Sequence, residues 1–245
     1  MRRIAIACWL GLAGLGVARS EPERESVADS TGGHAPESEV AAVTAPAPSP
    51  SEAASATGLS ASETAARAGS PLAFLKAHDA DVQKLLSSAD SDSLPPRLRA
   101  RVVEQINSAF DFQELSRRTL GDIWEQRSAD ERATFVATYR GIVEEQNFDS
   151  FVKFYRDGKI QYLSEEVTDS TASVASQIPA DREFHDITYQ LHRVDGRWRI
   201  YDLVIDDVST ADGNHRRYTR YIAKHSYDKL IAQLESQLAR LRGQN

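Results

Sequence analysis

The fold class follows from residues 187–206, which read ITYQLHRVDGRWRIYDLVID. The first part alternates apolar and polar side chains, and this period of two is typical of a half-buried strand. Asp195-Gly196 is a dipeptide that a tight type I′ hairpin turn prefers. The stretch therefore predicts an antiparallel hairpin whose return strand runs from Trp198 to Asp206.

Two more strands are predicted before this hairpin, at residues 160–168 and 171–178, where the hydrophobic period is also two. Farther upstream the apolar residues have helical spacing. Ser70-Pro71 is an N-cap followed by a first-turn proline, and Pro95-Pro96 begins a second helix. The strands are therefore preceded by helices.

A third helix is predicted to start at Asp111, with Glu114 three residues on, and Gly121 should shorten or break it. The clearest helix begins at Ser128, because Ser128 and Glu131 form a capping box. It should run to about Tyr155. After the strands the helical period returns.

The order of helices, antiparallel meander and helices predicts an α+β domain, with helices packed on one face of a curved sheet. The space between the long helix and the sheet is a natural place for a pocket.

The first 20 residues have the pattern of a secretory signal peptide: Arg2-Arg3, an apolar run from Ile4 to Val17, then Ala18-Arg19-Ser20. We expect cleavage after Ser20, with an uncleaved N-terminal anchor as the alternative. The only cysteine, Cys8, lies inside this leader. The mature chain would then have no disulfide, zinc–thiolate site or cysteine nucleophile.

Residues 21–68 are rich in Ala, Pro and Ser and poor in large apolar side chains, so they predict a disordered tether. Residues 69–245 are long enough for one domain with a sizeable core. Loss of the leader removes three arginines and moves the formal net charge from −7 to −10. That charge argues against nucleic acid as a partner.

Few residues have the spacing of a catalytic or metal site. His185 and His192 are an odd number of positions apart, so they face opposite sides of a regular strand and cannot bind one metal. Asp202 shares strand parity with Trp198 and Ile200, so it could point inward and act as a general base. The alternative is a structural carboxylate that caps a helix or pairs with an arginine.

Two ordered sets of residues are similar to the signatures of a known family. The first is Leu120-Gly121-Asp122-Ile123-Trp124, Ser128, Glu131-Arg132, Phe135 and the helix from Tyr139 to Tyr155. The second is Trp198-Arg199-Ile200-Tyr201-Asp202-Leu203, Val208-Ser209 and Asn214-His215-Arg216-Arg217-Tyr218. Together they resemble the MlaC family, also called the toluene-tolerance or ABC-transporter auxiliary-component family. The resemblance covers roughly residues 70–240. Asp207 stands where the family usually has Gly, which puts the shape of that turn in question, and the tether is longer than expected.

The resemblance implies a periplasmic protein with an NTF2-like sheet, which uses no cofactor and catalyses no reaction. It would carry a phospholipid, with two acyl chains buried, between an inner-membrane Mla ABC transporter complex and an outer-membrane Mla lipoprotein–porin complex. This transport would maintain the lipid asymmetry of the outer membrane. Asp202 would be a conformational or capping residue.

The candidates for the lipid pocket combine large side chains of the long helix, the segment before it and the strands. They are Leu120, Trp124, Phe135, Tyr139, Val143, Phe151, Tyr155, Tyr189, Trp198 and Tyr201. Periodicity alone does not separate such a lining from ordinary core.

Three other functions remain open at this point. The chain could carry another lipid, such as a hopanoid or a fatty acid. It could be an NTF2-like isomerase or hydratase that uses Asp202 as its base. It could also be a structural protein held by an uncleaved N-terminus.

Overall fold

Helices come first along the chain, an antiparallel meander follows, and two helices end it, in a computed structural model that describes residues 69–88, 94–157, 160–180 and 183–244. The helices are α1 (Pro71–Leu86), α2 (Pro96–Ser108), α3 (Phe112–Leu120), α4 (Asp122–Glu125), α5 (Ala129–Asp157), α6 (Thr210–Lys224) and α7 (Tyr227–Gln244). The predicted leader (1–20) and tether (21–68) lie outside the described residues and stay predictions.

The strands form one antiparallel sheet in the order β1-β2-β3-β4-β5. They are β1 (Gln161–Thr168), β2 (Thr171–Ala180), β3 (Glu183–Val194), β4 (Arg197–Ile205) and β5 (Val208–Ser209). The predicted α+β class is confirmed. None of the described helices is long and apolar enough to cross a membrane.

The helix starts follow the capping signals in the sequence. Ser70 Oγ accepts the Ala73 N–H at 3.2 Å, and Asp111 Oδ1 accepts the Glu114 N–H at 2.9 Å. In the capping box, Ser128 Oγ accepts the Glu131 N–H at 3.2 Å and the Glu131 carboxylate accepts the Ser128 N–H at 2.8 Å. Side-chain caps of this kind are each worth about 1 kcal/mol.

Gly121 separates α3 from α4, so the predicted break is confirmed. Its φ is +56°, in the left-handed region that favours glycine. A Cβ atom at this position would lie 2.5 Å from Cε1 of His215 in α6. Both the backbone and the close approach of α6 require glycine here.

Two hairpins in the C-terminal half of the sheet have two-residue turns. The predicted turn joins β3 to β4 with φ values of +50° at Asp195 and +74° at Gly196. The second turn joins β4 to β5, a strand that the sequence did not predict, with φ values of +46° at Asp206 and +65° at Asp207. Position 207 is therefore left-handed, a conformation that favours glycine.

A bulge at Tyr201 changes which side chains of β4 share a face. Gln190 of β3 pairs with Asp202, but the next residue, Leu191, pairs with Ile200, so Tyr201 has no opposite residue. One extra residue reverses the alternation of faces. Asp202 therefore lies on the sheet face opposite to Ile200, and the expectation that both point the same way is wrong.

The core is built around α5 and the inner face of the sheet. The long helix packs against α1, α3 and α7. Its buried residues include Phe135, Tyr139 and Val143, as the helical period predicts. The edge strand β1 is exposed along most of its length.

Candidate functional site

An apolar cleft lies between the helices and the sheet. It is formed by α1, the end of α2, the C-terminal half of α5, and strands β3 and β4. The cleft is narrow, with about 20 Å³ of space for the centre of a water-sized sphere. The lining residues are Leu75, His78, Asp79, Ile106, Phe110, Phe151, Phe154, Tyr155, Tyr189, Ile200 and Leu203. Because nine of these eleven side chains are aliphatic or aromatic, the cleft suits an apolar ligand.

Helical spacing brings the lining residues of each helix onto one side. Leu75, His78 and Asp79 of α1 have the i, i+3, i+4 spacing of one helix face. Phe151, Phe154 and Tyr155 of α5 have the same spacing. On β4, Ile200 and Leu203 both reach the cleft although they are three positions apart, and the bulge at Tyr201 makes this possible.

Polar groups of the cleft connect α1 to its neighbours. The Tyr162 hydroxyl of β1 donates to Asp79 Oδ2 at 2.6 Å. His78 Nε2 lies 2.9 Å from the Gln105 carbonyl oxygen, which can only accept, so Nε2 carries a proton. A third contact runs from the Leu72 N–H to Glu165 Oε2 at 2.9 Å. Hydrogen bonds therefore hold α1 to both β1 and α2.

Three tyrosines of the cleft keep their hydroxyl protons over the physiological pH range. Burial raises the pKa of Tyr155, Tyr162 and Tyr189 well above the usual value, and the negative charge of Asp79 raises each pKa further. Each hydroxyl therefore remains a hydrogen-bond donor, and the Tyr162 proton is donated to Asp79.

Three of the residues that the sequence suggested for the pocket line the cleft: Phe151, Tyr155 and Tyr189. The others lie elsewhere. Phe135 and Tyr139 stack on each other with ring centroids 5.7 Å apart. Leu120 and Val143 are buried and do not line the cleft.

The two candidate tryptophans and Tyr201 have polar or cationic neighbours outside the cleft. The guanidinium carbon of Arg132 lies 5.2 Å from the centroid of the Trp124 ring. Trp198 Nε1 donates to the Gly69 carbonyl at 3.1 Å. The Tyr201 ring lies 4.0 Å from the Arg118 guanidinium carbon. Contact of any of these candidates with a ligand stays a prediction.

Most of the lining was not predicted from the sequence, above all His78 and Asp79 of α1 and Phe154 of α5. Their i, i+3, i+4 spacing was present in the sequence. The same spacing also describes a helix that faces ordinary core, so it could not single out a cleft.

Asp202 is buried and has a structural set of hydrogen bonds. Its carboxylate accepts the Leu203 N–H at 2.9 Å, the Ser209 hydroxyl at 2.5 Å and the Ala211 N–H at 3.0 Å. Burial raises the Asp202 pKa above its usual value, and these hydrogen bonds oppose the rise. Asp202 thus fixes the start of α6. It is not among the residues that line the cleft.

The described residues contain no group of three or more His, Cys, Asp or Glu side chains that could hold a metal ion. The two strand histidines have separate partners. His185 Nδ1 lies 2.8 Å from Asp206 Oδ2, and His192 Nε2 lies 3.0 Å from Asp111 Oδ2.

Comparison with known proteins identifies a solved structure with a similar fold and the family of the chain. Among solved structures, the chain is similar to a phospholipid-binding protein from Ralstonia solanacearum, determined in complex with a phospholipid. The TM-score is 0.58 at 17% identity, and the match covers 69% of this chain and 96% of that chain. At this identity the match shows a shared fold. No curated protein matches the chain. The family model of the MlaC protein matches residues 77–236, which is well over half of the sequence. The chain therefore belongs to the MlaC family.

Proposed function

We propose that this protein is a phospholipid-binding shuttle of an Mla-type intermembrane lipid transport system. The observation that carries the proposal is the apolar cleft between α1, α5 and the sheet. Membership of the MlaC family supports it, as does the phospholipid bound to a protein of the same fold. On this proposal the protein binds and transfers a lipid and catalyses no reaction.

The proposed shuttle works in the periplasm, between the inner-membrane Mla ABC transporter complex and the outer-membrane Mla lipoprotein–porin complex. It thereby helps to maintain outer-membrane lipid asymmetry. The signal-peptide pattern of residues 1–20 and the family membership support this location.

The size of the cleft implies that it opens to take its cargo. Two acyl chains of about 15 carbons occupy roughly 900 Å³, if each methylene takes about as much space as a water molecule in the liquid. The cleft has room for only about one water molecule. α1 packs on α5, so the two helices form one layer, and the cleft lies between this layer and the sheet. We infer that the helical layer and the sheet move apart when the lipid enters.

Release needs the same movement. Each buried methylene contributes about 0.8 kcal/mol, so a bound diacyl lipid would leave a static pocket too slowly for a shuttle. A membrane complex that opens the cleft would lower this barrier.

Native mass spectrometry with lipid extraction tests the binding function, on mature protein purified from its exported form. We expect one phospholipid per protein. A hopanoid or a fatty acid instead would support the alternative of another lipid carrier. An empty protein that takes up nothing from labelled liposomes would contradict the carrier function altogether.

The transport function is tested with loaded protein and two kinds of vesicle. One kind contains the reconstituted inner-membrane complex and the other is plain lipid. We expect labelled lipid to move much faster to vesicles that contain the complex. Equal rates would contradict a partner-dependent shuttle.

A further inference from the structure

Asp79 is the one acidic residue of the cleft lining, and no lysine or arginine is part of that lining. Its side chain is 14% exposed, so it lies at the rim of the cleft. The nearest groups are the Tyr162 hydroxyl at 2.6 Å and His78 Nδ1 at 3.9 Å. Within residues 69–88, 94–157, 160–180 and 183–244, no lysine or arginine forms an ion pair with Asp79. A carboxylate that is largely removed from water and has no lysine or arginine beside it favours a ligand that supplies a cation.

Aromatic side chains lie near this carboxylate, and one of them, Tyr162, donates its hydroxyl proton to it. The Tyr162 and Tyr189 ring centroids lie 6.2 Å apart, and the His78 and Tyr155 centroids lie 6.3 Å apart. Tyr155, Tyr189 and Asp79 all line the cleft. The faces of tyrosine rings are electronegative and attract ammonium groups. A carboxylate next to such rings adds a full negative charge.

The interior of the cleft has a different character. Leu75, Ile106 and Phe151 are buried and apolar, so they suit hydrocarbon. A ligand that places its chains in this interior would have its polar end near the rim, where Asp79 and Tyr162 meet.

We propose that Asp79, with Tyr155, Tyr162 and Tyr189, forms a subsite for the ammonium group of a zwitterionic phospholipid headgroup. This inference rests on the proposed function and specifies its cargo. Phosphatidylethanolamine and phosphatidylcholine carry the required ammonium. Phosphatidylglycerol and free fatty acids do not, and Asp79 repels their negative charge.

Loading from mixed vesicles tests the proposal. Delipidated exported protein is incubated with vesicles of equal phosphatidylethanolamine and phosphatidylglycerol content and identical acyl chains, and its bound lipids are extracted and quantified. We expect about three- to tenfold enrichment of the amine lipid, the range of a partly exposed cation–π and ion-pair contact. In Asp79→Asn the ratio of the two bound lipids should fall to the ratio in the vesicles.

Two controls make this result specific. Asparagine keeps an oxygen that can accept the Tyr162 hydroxyl, so Asp79→Asn removes the charge and retains the hydrogen bond. Glu166→Gln removes an equal charge from an exposed position of β1 and should keep the enrichment. A thermal unfolding curve for each variant checks that it is folded.

Three results would overturn the inference. They are equal loading of the two lipids by the native protein, an unchanged ratio in Asp79→Asn, and Asp79-dependent binding of glycerophosphoethanolamine, which has no acyl chains. The last result would assign the subsite to free amines rather than to lipid headgroups. Failure to load any lipid would instead overturn the proposed function.

Discussion

The ring of His215 in α6 occupies the space that a side chain at position 121 would need: a Cβ on Gly121 would lie 2.5 Å from His215 Cε1. Nearby, Asn214 Nδ2 donates to the Tyr139 hydroxyl of α5 at 2.7 Å. These residues belong to the two ordered sets that carry the family resemblance. The two sets therefore contact each other where α3, α5 and α6 pack together. Much of the family signature thus consists of residues that stabilise the fold.

Gly121→Ala should lower the free energy of unfolding by about 2–4 kcal/mol. The positive φ of residue 121 disfavours alanine, and the added Cβ overlaps the His215 ring. Urea denaturation measures the loss. The double variant Gly121→Ala/His215→Ala should lose less than the sum of the two single variants, because the overlap is gone. Strict additivity would contradict the contact.

Asp207→Gly should raise the free energy of unfolding by about 1 kcal/mol. Residue 207 has a φ of +65°, which glycine adopts without strain. Asp206→Gly is the matched comparison, because Asp206 also has positive φ but its carboxylate accepts the Asp186 N–H at 3.2 Å and contacts His185. Urea midpoints should rise for Asp207→Gly and not for Asp206→Gly. A lower midpoint for Asp207→Gly would show that its carboxylate stabilises the turn.

Asp202→Ala should reduce stability by about 3 kcal/mol, because three donors lose a buried acceptor. Asp202→Asn retains an acceptor oxygen and should lose less. The lipid content per folded protein should stay unchanged in both variants, as measured by extraction. A large loss of lipid from a folded Asp202→Asn protein would place this residue in the binding site.

The same carboxyl group predicts a pH effect. Because burial raises the Asp202 pKa above 3.8, the native state binds this proton more tightly than the unfolded state does. This group's contribution to stability is therefore greatest at low pH and is lost as the pH rises through the raised native pKa. The stability difference between the native protein and Asp202→Asn should shift in favour of the native protein as the pH falls towards 4. Urea denaturation of both proteins at several pH values measures this difference, and a shift in the other direction would contradict the assigned pKa.

Joining α1 to β1 should stop lipid exchange. Leu72 and Glu165 are connected by a hydrogen bond between the two elements, so cysteines at these positions lie within reach of a short, reducible thiol crosslinker. Crosslinked Leu72→Cys/Glu165→Cys should neither load nor release lipid, and reduction should restore both. The single-cysteine variants, treated in the same way, control for the reagent. Exchange at an unchanged rate in the crosslinked protein would contradict separation of the helical layer from the sheet.

Phe154→Ala should release bound lipid about tenfold faster, because Phe154 is half-buried in the cleft and complete burial of a phenylalanine side chain is worth about 1.5–3 kcal/mol. Phe154 lines the cleft. Tyr201→Ala is the matched control: Tyr201 is also half-buried and was suggested by the sequence, but it lies outside the cleft. Fluorescent-lipid release measures both rates. Faster release from Tyr201→Ala alone would favour the residues that the sequence suggested.

Much of the fold could be predicted because its signals are local. The capping box of Ser128 and Glu131 and the Asp195-Gly196 turn each depend on a few neighbouring residues. They mark where elements begin and end before any tertiary contact forms. The start of α7 is marked in the same way, because Ser226 Oγ accepts the Lys229 N–H at 3.2 Å, although the break between α6 and α7 was not predicted from the sequence.

The cleft could not be predicted in the same way, because it depends on contacts between distant segments. Asp79 and Tyr162 are 83 positions apart, and nothing in either helix or strand pattern indicates that they meet. Large aromatic residues such as Phe135 were predicted to line the pocket, because pocket linings and protein cores have the same composition. The structure places that residue against Tyr218 of α6, with ring centroids 6.1 Å apart.

The extra residue at Tyr201 has a consequence for comparing relatives. Up to Ile200 the side chains of β4 alternate in one phase, and from Asp202 onwards they alternate in the other. A homologous strand that lacks the extra residue would present a different set of side chains to the cleft. In a multiple alignment, a gap placed one column away from this position would exchange the lining of the cleft with the opposite surface of the sheet. Pocket composition across relatives is therefore best compared by paired residues of β3 and β4 rather than by alignment column.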